Sequence, residues 1–302
     1  MSLTRTIACL TGSGTAPELM AEAMYALDAV ARVHGFSFDQ VHAPFGGVAL
    51  ARLGQAVPAS TRDAVLGADA VLVAGAEEPA LDDVMAELDL RARVTRVRFG
   101  QHDDVAFVTS VRDDAAEWTV RRAFAIAETR RMRLACVGDN AWCELVTMAA
   151  PDHEHVRVEH VSPRDAMPFA AFNPARFDVV VVAPQWAEGM VEISAAAASH
   201  RVAAHALLAE HGPSLFVPSP DGGFALAGHG VVNPSSMLLA AALTLEHGLG
   251  QPGAADTLAG AVSAALVDEP VRFGIRASTR EFTSRVLGGF QLAMRNAEFF
   301  PA

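Results

Sequence analysis

The side chains best placed for chemistry are Glu188 and Glu192, four residues apart just beyond the aliphatic run Phe177–Val182. On a helix these two carboxylates share one face, and the carboxyl end of a strand is where α/β proteins tend to place a site. Their hard oxygens would suit Mg²⁺; the competing reading is an ordinary solvated helix face. A second feature is the stretch Thr11-Gly12-Ser13-Gly14-Thr15-Ala16-Pro17-Glu18. Two glycines permit a tight strand-to-helix turn whose free N–H groups could receive an anion. The stretch lacks the third glycine of a dinucleotide fingerprint and the Gly-Lys-Ser/Thr of a P-loop, so spacing alone favours a structural turn.

A third feature, Gly223–Pro234 (GFALAGHGVVNP), is a glycine-rich loop leading to an Asn-Pro helix start. It could support a nucleotide, although a well-capped helix after a loop explains it equally simply. Arg91, Arg93, Arg96 and Arg98 alternate along one segment. In a strand, Arg91 and Arg93 share one parity and Arg96 and Arg98 the other. They could grip a carboxylate or phosphate, or be solvated charges of an edge strand. His153 and His155 lie in an acidic stretch that reads as exposed. His200, His205 and His211 are spaced five and six apart and so do not share a helix face as zinc ligands would. No Gly-x-Ser-x-Gly elbow is present to anchor a nucleophilic serine.

The elements that must position these residues alternate. Ile7–Leu10, Asp69–Val73, Leu134–Val137 and Phe177–Val182 read as buried strands of a sheet covered on both faces. Pro17–Val33, Ala115–Arg130, Asn233–His247, Pro252–Val267 and Arg276–Met294 carry helical patterning, several with matching caps. The fold class is α/β, with two domains expected from the 302 residues. The polar segment Arg96–Asp114 is the expected exit from the first domain, and His205–Pro213 the expected return.

Composition excludes several functions. The net charge of −12 opposes a nucleic-acid partner, and an anionic ligand would need a few local arginines to hold it. No apolar run reaches the length of a membrane span, and the N-terminal apolar run is too short for a signal peptide. Cys9, Cys136 and Cys143 form no Cys-x-x-Cys pair; Cys9 and Cys136 read as buried thiols in strands. A cytoplasmic protein with reduced cysteines is expected.

Taken in order, the segments resemble one family. IACLTGSGTAPELMAEAMYALDAV resembles the opening strand, Gly-Asp-Gly-Ile-Gly-Pro-Glu turn and long helix of the isopropylmalate/isocitrate (β-decarboxylating) dehydrogenases. Phe45-Gly46-Gly47 and ADAVLVAGAEEP fit the next elements. FDVVVVAPQWAEGMVEISAA resembles the family's metal-aspartate strand and helix, and GHGVVNPSSMLLAAALTLEHGLG its Gly-Lys-x-x-Ala-Asn-Pro stretch. The resemblance implies an isopropylmalate dehydrogenase-like fold of two α/β domains with an interdomain cleft, and a homodimer. The first domain is expected over 1–98 plus 213–302 and the second, dimerisation domain over 99–212. Active members oxidise a 2-hydroxy acid with NAD or NADP and Mg²⁺ or Mn²⁺, then release a carboxylate as CO₂.

By resemblance, the metal aspartates correspond to Glu188 and Glu192, and a third, supplied by the partner subunit, to Asp165. Of three substrate-binding arginines only Arg112 is matched; the others fall near Met85 and Thr95, with Arg93 and Arg96 close enough to substitute. Asn233 matches the asparagine that contacts the cofactor's adenine. The departures are larger. Tyr25, in the first helix, is the only tyrosine, and the chain has no lysine. Asp139, in CVGDNAW, stands where the family has its catalytic lysine. PDGGFA at Pro220–Ala225 replaces the loop carrying the cofactor's histidine and ribose-binding aspartate. The segment between Arg112 and Trp118 is too short for the family's tyrosine and its hairpin arm. The expected protein is a diverged member without oxidative decarboxylase activity, binding a small anionic ligand or a partner subunit. Two alternatives stand beside it: a metal- and NAD(P)-dependent 2-hydroxy acid dehydrogenase of altered chemistry, and an accessory subunit of an active homologue.

Overall fold

The computed structural model describes residues 4–99, 103–197, 204–219, 223–267 and 278–299. In chain order the elements are β1 (Arg5–Leu10), α1 (Ala16–His34), β2 (Phe38–Ala43), α2 (Gly46–Leu53), α3 (Ala59–Leu66), β3 (Ala70–Val73) and α4 (Ala80–Ala86). There follow β4 (Leu90–Phe99), β5 (Asp103–Ser110), α5 (Ala116–Glu128), β6 (Arg133–Val137), α6 (Asn140–Ala149) and β7 (Arg157–Val161). The chain continues through α7 (Pro163–Phe172), β8 (Val179–Val182), α8 (Pro184–Ala197), β9 (Ala204–Ala209) and β10 (Ser214–Pro218). It closes with α9 (Ser235–Leu243), α10 (Pro252–Val267) and α11 (Thr279–Phe299). Among the described residues no helix is long and apolar enough to cross a membrane.

Two compact units emerge, the first from 1–89 and 211–302, the second from 90–210. In the first, the strand order is β2-β1-β3-β10, and β1 pairs parallel with β2 and β3, as does β3 with β10. All four residues of β3 (AVLV) are buried, as a parallel strand covered on both faces requires. α1 buries a stripe that includes Leu19, Met20, Ala23, Leu27 and Val30, then stops at Gly35 in the left-handed region. Helix α9 is buried at every residue from Met237 to Leu243, as that uninterrupted apolar run demands.

In the second unit the strand order is β9-β4-β5-β8-β6-β7. Strand β8 is four buried valines. One face packs Val97, Phe107, Val180 and Val182 against Ala166 and Ala170 of α7 and Met190 of α8. The stretch expected to leave the first domain instead forms an antiparallel hairpin inside the second, with Ala92 opposite Ser110 and Arg96 opposite Ala106. Because β4 also pairs with β9, the first crossing of the chain falls at residues 89–90, not 98–99, and the return at 210–211. Nor is β4 an edge strand.

The arginine pattern therefore serves structure on one face. Arg96 meets Asp104 at 2.6 Å, and Arg130, just after α5, meets Asp104 and the fully buried Asp178, each at 2.9 Å. Burial disfavours the ionised Asp104 carboxylate, but the Arg96 and Arg130 guanidiniums outweigh it and hold the group well below the usual carboxylate range. On the other face Arg91 pairs with Asp114 and Glu210, while Arg93 is exposed. His153, expected to be exposed, is half-buried: its ring stacks on Phe124 with centroids 4.6 Å apart, and Nδ1 meets Glu128 at 2.7 Å.

Candidate ligand site at the glycine turn

Strand β1 delivers the chain into the glycine turn with Leu10 fully buried. Gly12 (φ 78°) and Gly14 (φ 64°) take left-handed conformations, which reverse the chain into α1 within five residues. Thr15 caps that helix without a side-chain hydrogen bond, so the turn's N–H groups need partners from elsewhere. Glu78, between β3 and α4, supplies one.

The Glu78 carboxylate accepts the Ser13 N–H at 2.8 Å, the Ser13 hydroxyl, and the Gly47 N–H at 3.0 Å. It answers the turn and the first turn of α2 together. Glycines make room for it. A Cβ on Gly46 would lie 2.4 Å from Glu78 Cδ, and one on Gly75 2.9 Å from its Cγ. The seat that the sequence offered to an external anion is filled by the protein's own carboxylate. The second glycine-rich stretch is treated the same way: Glu18 of α1 accepts the N–H groups of Gly228 and, at 3.1 Å, of Gly230.

Beside the turn lies a small, shallow pocket lined by Ser13, Thr15, Glu77, Glu78, Ser219, Asn233, Ser236 and neighbouring apolar groups. Among the described residues, no cationic side chain lines it. Asn233 does reach the pocket, but its Oδ1 accepts the Ser235 N–H at 2.9 Å, and Ser236 Oγ accepts the Ser219 N–H at 2.8 Å. The expected helix start at Asn233 moves to Ser235 for this reason: Asn233 caps from two residues upstream. The residues present do not fit a dinucleotide's pyrophosphate. Its charge would meet two carboxylates, and the Ser13 N–H is already taken. Residues 220–222 of the replaced cofactor loop lie outside the described residues, while Gly223–Leu226 forms a short 3₁₀ turn.

The remaining expected residues lie in the second unit. Glu188 and Glu192 are exposed on α8, beside its buried face of Ala187, Met190 and Ser194. Asp165 is exposed in the first turn of α7, accepting a hydrogen bond from Ser162 Oγ at 2.7 Å. Within one chain the three acids do not come within 4.8 Å of one another as a group. The donor chemistry of Glu188 and Glu192 fits Mg²⁺ or Mn²⁺, which favour carboxylate and water ligands. Arg112 is half exposed and already paired with Asp114 through two hydrogen bonds of 3.0 and 2.9 Å. Asp139 caps α6, accepting the Trp142 N–H at 3.0 Å. Tyr25 lies on α1 with the Arg280 guanidinium 3.9 Å above its ring.

The fold is that of the β-decarboxylating dehydrogenases. A crystal structure of such an enzyme from Thermococcus kodakarensis, in its apo form, is similar with a TM-score of 0.83 and 18% identity, covering 99% of this chain and all of that one. Isocitrate dehydrogenase from Methylococcus capsulatus gives 0.76 and 17%, over 95% of this chain and all of that one. The chain belongs to the isocitrate/isopropylmalate dehydrogenase family, whose model matches residues 6–98 and 92–286. Among its relatives, the 3-isopropylmalate dehydrogenase of Streptococcus thermophilus (strain CNRZ 1066) is 27% identical over 342 aligned positions, covering 94% of this chain and 99% of the relative. That of a Synechococcus species (strain CC9605) is 30% identical over 323 positions, covering 86% and 90%. The first alignment is longer than the chain itself, so that relative carries stretches without a counterpart here.

Proposed function

We propose that this chain is a diverged family member that does not carry out oxidative decarboxylation and that works by binding, as a homodimer, a small anionic ligand or another subunit. The observation that carries the reading is the missing acid–base pair: the chain has no lysine, and its single tyrosine sits on α1 beneath Arg280. General acid–base groups each contribute about 10²–10⁴-fold to a rate. Asp139, matched by resemblance to the family's lysine, would place a negative charge where a carboxylate substrate and a developing enolate need a positive one. Glu78 in the glycine turn and the acidic pocket beside it support loss of the nicotinamide cofactor as well.

The second unit supports the dimer. Phe172, at the end of α7, is 90% exposed, and Trp186 on α8 is 39% exposed. Apolar side chains left open on adjacent helices favour burial against a second copy. All three cysteines are free, which suits a reducing, cytoplasmic setting.

A second reading, an altered metal-dependent 2-hydroxy acid dehydrogenase, rests on Glu188 and Glu192, which sit exposed four residues apart on α8. Steady-state assays with 3-isopropylmalate or isocitrate, NAD or NADP, and Mg²⁺ or Mn²⁺ separate the two. The proposal expects no cofactor reduction above background. Turnover at ordinary enzyme rates would reject it in favour of the second reading.

A further inference from the structure

Three side chains with soft or borderline donor atoms meet in the second unit, with none of the α7 or α8 carboxylates among them. Strands β6 and β7 are parallel and in register, with Cys136 opposite His160. Helix α6 follows β6 directly and returns Cys143 to the same place, its Sγ 3.4 Å from that of Cys136. The two sulfurs and an imidazole nitrogen of His160 all lie within 4.8 Å of one another. Cys136 is buried, Cys143 half-buried and His160 exposed, so the cluster has a closed base and an open mouth.

We infer that Cys136, Cys143 and His160 bind a borderline-soft divalent ion of the Zn²⁺ type, with water completing the tetrahedron. A tetrahedral zinc with bonds of about 2.0–2.3 Å sets its ligand atoms roughly 3.5 Å apart, close to the 3.4 Å between the two sulfurs and inside the 4.8 Å that encloses all three atoms. Thiolate and imidazole donors select Zn²⁺ over Mg²⁺, so this ligand set differs in kind from the carboxylates of α8. Without an ion, burial pushes the Cys136 thiol up, and its S–H donates to Cys143. Binding would release both thiol protons to solvent and leave two Zn–S bonds, with no change of oxidation state.

Cobalt(II) titration of the reduced, metal-free full-length protein tests the site. The expected result is thiolate-to-cobalt charge-transfer absorption with intense tetrahedral d–d bands, saturating at one ion per chain and displaced by Zn²⁺. Cys143→Ser should abolish the charge transfer, while the double change Glu188→Gln and Glu192→Gln should leave it intact. His160 is exposed, so His160→Ala keeps the test decisive even if the cysteine variant fails to fold. Even outer-shell partners of a metal contribute about 10–100-fold, so losing this ligand should weaken cobalt binding by at least that much. Absence of the charge-transfer band, or unchanged affinity in His160→Ala, overturns the proposal. Ready formation of a Cys136–Cys143 disulfide by protein that takes up no ion when reduced would do the same.

Discussion

The carboxylate of Glu78 lies 2.8 Å from the backbone nitrogen of Ser13, 65 residues earlier in the chain, at the turn where this fold could present free N–H groups to a ligand. Removing that acceptor leaves the Ser13 and Gly47 N–H groups without their partner. Glu78→Ala should therefore cost about 1–3 kcal/mol, read from urea unfolding, with Glu78→Gln costing less because its carbonyl oxygen still accepts. An Ala variant as stable as wild type would show that the contact contributes nothing.

Two glycines with the same backbone conformation separate space from strain. Gly46 (φ 68°) and Gly54 (φ 73°) are both left-handed, but an added Cβ meets Glu78 at the first and nothing within 4 Å at the second. Gly54→Ala should cost only the conformational penalty of about 1–2 kcal/mol. Gly46→Ala should cost clearly more, and the excess should shrink in a Glu78→Ala background. Equal losses at the two positions would contradict the packing described.

His205 gives stability a pH dependence of defined sign. Its Nδ1 is 2.8 Å from the Thr95 hydroxyl, and burial, aided by the Arg93 charge, pushes its pKa down from 6.5 to about 4. Between these values the unfolded chain binds the proton more readily, so stability falls as pH drops from about 6.5 to about 4. The contribution is on the order of 3 kcal/mol. In denaturation series across that window, His205→Asn should flatten the slope; an unaltered slope would assign the acid sensitivity elsewhere.

Asp104 acts in a lower window. Because its folded pKa is depressed below the ordinary 3.8, its contribution is present above that value and is lost as pH falls through the lower range. At neutral pH, Asp104→Ala leaves Arg96 and Arg130 without this shared counter-charge and should cost about 3–5 kcal/mol. A loss under about 1 kcal/mol by urea unfolding would mean that the network is solvated.

Much of the parallel framework was legible from the chain because AVLV and VVVV have only one comfortable environment, a sheet covered on both faces. The β4–β5 hairpin was not. Its arginines and acids read as polar surface between domains, whereas Arg96 and Asp104 neutralise each other beside Arg130, a partner invisible to local pattern. The glycine turn was visible, but its occupant was not: in GAEEP, Glu78 looks like an acid in a solvated turn. Only the return of β3 beside β1 places it on Ser13. His160 was hidden for a related reason, since strand register brings it to Cys136 from 24 residues away.

The most direct measurement of the central claim is a calorimetric titration of the full-length protein with NAD and NADP, with and without Mn²⁺. Glu78 against the turn, Glu77 beside it and a pocket with no cation among its described lining residues predict no binding in the micromolar range for either dinucleotide. A saturable heat with micromolar affinity would contradict the account and return the chain to the active dehydrogenases.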